Sequence, residues 1–220
     1  MQVKLLNHTP LYIADKAISK CWAKEKEVCD VKRIERVALK FKHSSTIEHI
    51  NYTFDIDGVS RALLQELARH RIASYSVKST RYTLKELKDE APFADYTLES
   101  SNPYDTYNVV EGGYIRAAKY VVLTGNADVD ESILFNLEEM RGLLNNGVSN
   151  DIAKYCIPEA YKTSLVWTIN ARSLQNFLAL RSSKDALWEI RQLALEVYNQ
   201  LPDDHKFLFK DFIKDVKWMI

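Results

Sequence analysis

Apolar positions along the chain follow two periodicities, and these predict its elements. Val3 to Leu6 reads as a short opening strand. From about Pro10, the residues Leu11, Ala14, Ala17, Ile18 and Cys21 form one stripe at helical spacing, and Ile34, Val37, Ala38 and Phe41 mark a second helix. Ile50, Tyr52, Phe54 and Ile56 alternate with polar residues, as in a half-buried strand, which Asp57-Gly58 is expected to close. Beyond Val59 helical spacing returns through Ala62, Leu63 and Leu67, and this helix is expected to run into Arg69-His70-Arg71. Residues 100–148 read as helical, broken at Gly125 and Gly147. Thr163 to Ile169 is β-branched and aromatic, hence a strand, and Ala171 to Leu180 looks helical. Ser182 with Asp185 resembles a capping box opening a helix to about Gln200. Phe209, Phe212, Ile213 and Val216 predict an amphipathic closing helix. Helices dominate over a few strands, so the expected class is α+β or α/β, in one domain spanning residues 1–220.

Composition narrows the function classes. Apolar residues make up 46% of the 220, enough for a packed core. Thirty basic residues balance thirty acidic ones, which disfavours a surface built wholly for nucleic acid or anionic membrane. No apolar run approaches the ~20 residues that cross a bilayer, and the apolar part of Met1 to Leu6 is too short for a signal peptide. Cys21, Cys29 and Cys156 show no metal or disulfide spacing, so a reduced, cytoplasmic chain is expected. The six glycines form neither a dinucleotide fingerprint nor a phosphate loop. Any phosphate must therefore be held by side chains or a helix N-terminus.

The densest chemistry lies in Arg69-His70-Arg71-Ile72-Ala73-Ser74-Tyr75-Ser76-Val77-Lys78-Ser79-Thr80-Arg81, which carries cations and hydroxyls but no acid. Guanidinium forks and hydroxyls suit a phosphate or an anionic heterocycle. Cations complementing a helix C-terminus account for Arg69 and Arg71 equally well, though not for Arg81. If the helix persists, residues 69 and 71 lie ~200° apart and could serve two anions. Glu66, at helical spacing from Arg69 and His70, is expected to pair with them and favour imidazolium. A second cluster, Asn170 to Asn176, ends at Arg181. Arg172 and Asn176 share a face there, while Arg181 lies ~180° around, implying two ligands or a site shared between subunits. An exposed helix with solvated arginines would account for this cluster equally well. His43-Ser44-Ser45-Thr46-Ile47-Glu48-His49 lacks a third metal ligand, and reads otherwise as a helix start capped by Ser45 or Thr46. No activated nucleophile emerges, so an enzyme here would rely on a cofactor.

These three clusters, in this order, resemble the flavin-dependent thymidylate synthases. Arg69-His70-Arg71, then seven residues, then Ser79 is similar to that family's signature. It is flanked by His43, Ser45, Glu48 and His49 upstream and by Asn170 to Arg181 downstream. The resemblance implies a central, mostly antiparallel sheet flanked by helices, and a homotetramer with sites shared between subunits. It further implies methylation of dUMP to dTMP, with FAD as cofactor and methylenetetrahydrofolate and NADPH as co-substrates. By motif position, Ser45, Glu48, Arg69, His70, Arg71, Asn170, Arg172 and Asn176 would hold FAD. Glu66, Arg69, Ser79, Thr80, Arg81, Lys154 and Arg181 would hold dUMP, with Arg181 at the uracil edge and His43 beside the flavin and folate as the catalytic pair. Lys154, Val77, Glu66 and Cys21 depart from residues common in the family. The competing reading is a nucleic-acid-binding module using residues 69–81, with Tyr75 and Tyr82 as stacking surfaces. A helical scaffold with incidental arginines is a third.

Overall fold

The computed structural model describes residues 1–23, 27–96 and 107–214. Strand β1 (Gln2–His8) leads to α1 (Tyr12–Trp22), α2 (Val31–Glu35), a π-helical turn (Arg36–Lys40) and a 3₁₀ turn (Ser44–Ile47). Then come β2 (Asn51–Ser60), α3 (Arg61–Leu67), β3 (Ala73–Val77) and α4 (Thr80–Thr83). β4 (Ala94–Tyr96), β5 (Tyr107–Val109), α5 (Gly113–Ala117), α6 (Ala127–Asn145) and α7 (Asn150–Ala153) follow. The chain continues through β6 (Lys162–Asn170), α8 (Ala171–Arg181), α9 (Trp188–Asn199) and a 3₁₀ segment (Asp203–Leu208). The expected mixed, helix-rich class with an antiparallel sheet is what forms.

The chain divides into two compact units. The first comprises Met1–Asp57, Leu63–Val77 and Ser164–Ile220. It holds a four-stranded sheet in the order β1-β2-β6-β3, with β1 antiparallel to β2 and β3 antiparallel to β6. Its core is aromatic. Phe54 tilts against Trp167 at 5.9 Å, Trp167 meets Phe177 of α8 edge-on at 5.0 Å, and Phe177 in turn meets His70 at 5.1 Å. Apolar packing therefore runs without a break from the sheet to the Arg69-His70-Arg71 turn. A buried ion pair, Arg33 to Asp15 at 2.7 Å, joins α2 to α1, with Ser19 accepting a further bond from the guanidinium.

The second unit, Gly58–Ala62 and Lys78–Thr163, packs Leu134, Leu137, Met140 and Leu144 of α6 against Leu84, Leu87 and Phe93. Asn126 caps α6 through the Val129 amide.

Several expected elements differ. β2 does not close at Asp57-Gly58 but continues to Ser60, with Gly58 absorbing a φ of 71° that its lack of a Cβ permits. Residues 107–148 are not helical throughout: β5 pairs with β4, and 100–106 lie outside the described residues. Ser182 opens no capping box. Its hydroxyl donates to the Leu178 carbonyl at the end of α8, and α9 starts at Trp188 after an uncapped Leu187. The predicted closing helix does not form: Phe209, Phe212 and Ile213 lie in turns and a bend after a 3₁₀ segment that ends at Leu208, and Val216 lies outside the described residues.

Candidate active site

Helix α3 stops at Leu67, short of the arginines, so its orphan carbonyls need partners. Tyr75 of β3 reaches back to supply one, its hydroxyl 2.9 Å from the Leu67 carbonyl oxygen and 2.7 Å from that of His70. Arg181, the last residue of α8, supplies another, Nη2 donating to the Glu66 carbonyl at 3.1 Å. The basic stretch is thus a turn followed by a strand and the short helix α4, because Ser74 to Val77 pair with Leu165 to Thr168 of β6. The helical angle between residues 69 and 71 does not apply.

This turn and α8 enclose a groove of about 980 Å³ lined by Arg69, His70, Arg71, Asn170, Arg172, Asn176 and Arg181, with Glu48, Glu66, Ser173 and Lys214. Asn170 caps the eleven-residue α8 by accepting from the Ser173 amide at 2.8 Å, and Asn170, Arg172 and Ser173 at this positive end of the helix line the groove. Arg172 and Arg181 open on the same groove despite their separation around the helix. One chain thus lines one cleft with both, which is compatible with the expectation of two ligands or a site shared between subunits.

Charge in the groove is unevenly compensated. Glu66 does not pair with Arg69 or His70 as expected; its Oε2 lies 2.6 Å from Arg181 Nη1. Arg181 Nε also donates to His70 Nε2 at 3.0 Å. His70 is buried, and burial first, then the Arg181 charge, pushes its pKa down to about 4 against the opposing pull of Glu66. The ring is therefore neutral, not the imidazolium expected from Glu66. Arg172 faces Glu48 loosely, 3.5 Å apart with both half-exposed. Arg69 and Arg71 are exposed and make no ion pair among the described residues.

Other predicted site residues lie elsewhere. Ser45 opens on a smaller recess of about 470 Å³ with Ile13, Lys16, Cys21 and His49. His43 is exposed, and its carbonyl accepts from the Thr46 hydroxyl at 3.0 Å; neither Ser45 nor Thr46 caps a helix there. Ser79, Thr80, Arg81 and Lys154 belong to the second unit. There Arg81 grips Asp151 through Nε at 2.7 Å and Nη2 at 3.1 Å. Among the described residues no three His, Cys, Asp or Glu side chains converge to hold a metal. The roles of Tyr75 and Lys214 escaped the sequence reading. Tyr75 was weighed there as a stacking surface, whereas its hydroxyl is turned onto the backbone.

A family model described as thymidylate synthase complementing protein matches residues 4–205. A flavin-dependent thymidylate synthase of Campylobacter jejuni (strain RM1221) is 52% identical over 223 residues, covering 99% of this chain and 100% of that protein. One from Wolinella succinogenes is 52% identical over 214 residues, covering 95% and 97%. A crystal structure of thymidylate synthase X from Helicobacter pylori with FAD and dUMP superposes with a TM-score of 0.86 at 45% identity, covering 98% of this chain and 100% of that one. The groove thus sits in an enzyme fold, and the chain belongs to the flavin-dependent thymidylate synthase family.

Proposed function

We propose that this chain methylates dUMP to dTMP, with FAD bound in the groove and methylenetetrahydrofolate and NADPH as co-substrates. The observation that carries the reading is that Arg69 and Arg71, which make no ion pair among the described residues, line the same groove as the first turn of α8, with no glycine in the described lining. A pyrophosphate-bearing cofactor fits that donor set, since guanidinium forks and helix amides replace a glycine cradle. Bound flavin would supply the redox chemistry. The protein's part is to hold it, through Arg69, His70, Arg71, Asn170, Arg172 and Asn176, with Ser45 and Glu48. Arg181 would meet the uracil edge, where a fixed cation in a low-dielectric site stabilises charge developing on the ring. Ser79, Thr80, Arg81 and Lys154 would take the nucleotide phosphate, and His43 would lie beside flavin and folate.

A homotetramer fits the dispersal of these residues. Ile72 and Leu180 line the groove yet are 73% and 54% exposed, as suits a surface that a second subunit covers. The whole chain would act as one catalytic domain of a cytoplasmic enzyme; no described helix is long and apolar enough to cross a membrane. No observation favours nucleic-acid binding.

The test is a visible spectrum of the purified protein with and without added FAD, then NADPH oxidation with and without dUMP. Arg172→Ala is expected to lower flavin content more than dUMP response. Arg181→Ala should do the reverse, cutting dUMP-dependent turnover by about 10²-fold or more. Protein that stays colourless with added FAD overturns the reading.

A further inference from the structure

Arg181 has five N–H groups. Nε donates to His70 Nε2, one Nη1 hydrogen to the Glu66 carboxylate and one Nη2 hydrogen to the Glu66 carbonyl. Two hydrogens remain, one on each terminal nitrogen, with no acceptor among the described residues. His70 accepts only because Nε2 carries no proton, and its depressed pKa secures that state at neutral pH. The ring is itself wedged edge-on against Phe177 at 5.1 Å. The guanidinium is therefore fixed by a neutral ring at its inner nitrogen and by Glu66 at both outer ones.

Holding it this way matters because a free arginine has rotamer entropy that a ligand would otherwise have to overcome. A carboxylate, moreover, accepts hydrogen bonds and has no hydrogen to give to a phosphate or carbonyl oxygen. Resting on the assignment of Arg181 to the uracil edge, we propose that Glu66 is a positioning residue rather than a direct ligand. It acts on the nucleotide through Arg181, locking the guanidinium plane with His70 so that the two uncommitted N–H groups meet the carbonyl-bearing ring.

A double-mutant cycle on the FAD-loaded enzyme tests this, reading dUMP affinity by calorimetry and flavin content by absorbance. Glu66→Ala and Arg181→Ala should each weaken dUMP binding at least tenfold, with flavin content unchanged. The double variant should bind within twofold of Arg181→Ala alone, because the effect of Glu66 passes through the arginine. Glu66→Gln keeps an acceptor oxygen and should recover most of the loss. Should Glu66→Ala not fold, Glu66→Asp replaces it in the same cycle; it keeps the charge but shortens the reach, and should weaken binding only while Arg181 is present. Losses that multiply in the double variant, or a Glu66→Ala enzyme with wild-type dUMP affinity, overturn the proposal alone. A wild type that takes up neither FAD nor dUMP overturns the enzyme reading and this proposal with it.

Discussion

The Tyr75 hydroxyl, 2.7 Å from the His70 carbonyl oxygen, ties an edge strand to the turn that carries the cations of the groove. Its single hydrogen is shared with the Leu67 carbonyl, so one phenol serves the end of α3 and the turn together. Tyr75→Phe keeps the ring and removes only this tie. It is expected to cost about 1 kcal/mol in denaturant unfolding and to weaken FAD binding several-fold. Unchanged values for both would show that the turn holds its shape without the strand.

Acid should destabilise the fold through two buried imidazoles. Burial and the Arg181 charge lower the His70 pKa from 6.5 to about 4, with Glu66 opposing. Burial likewise lowers that of His205, where Asp204 opposes and His8 adds; its Nδ1 lies 2.8 Å from the Tyr52 hydroxyl. The unfolded chain takes up protons at both sites below pH ~6.5 while the folded chain resists, so both contributions are complete above that value and are lost as pH falls, that of His70 towards 4. Melting temperature should therefore drop across that window. His70→Gln, which keeps an acceptor for Arg181, should shallow the drop without abolishing it; an identical profile would rule out His70 as a source.

Asp151 occupies one edge of the Arg81 guanidinium, the Nε and Nη2 pair that would otherwise be offered to a phosphate. Both side chains are more than half exposed, so solvent screens the pair and it adds little to the stability of the fold. Asp151→Asn should leave the melting temperature nearly unchanged and tighten dUMP binding a few-fold at low salt, a gain that fades towards about 0.5 M. Equal affinity at low salt would mean that Arg81 and the nucleotide phosphate do not meet.

How much of this was legible in the sequence depends on the range of the forces involved. Alternation at Tyr52, Phe54 and Ile56 and the helical look of Ala171 to Leu180 reported elements correctly, because each buries one face of a local repeat, Leu174, Phe177 and Leu178 in the helix. The end of α3 was not legible. Nothing in Ala68-Arg69-His70-Arg71 breaks a helix; the break comes from Tyr75 and Arg181, which arrive from a strand and from another helix. For the same reason the sequence paired Glu66 with its neighbours, whereas the structure gives it to Arg181. The groove-lining members of the predicted site were found as residue types in order, while their charge states came only from burial.

The pairing of β3 with β6 also sets an order of events at the ribosome. Ala73 finds Ile169, and Tyr75 finds Trp167, only after the whole second unit has been synthesised. A nascent chain that ends near Thr163 already carries Arg69, His70 and Arg71 but neither the strand that should lie beside β3 nor Arg181. Until β6 and α8 emerge, that cationic turn has no scaffold, and closing so long a loop makes this the late, slow step of maturation.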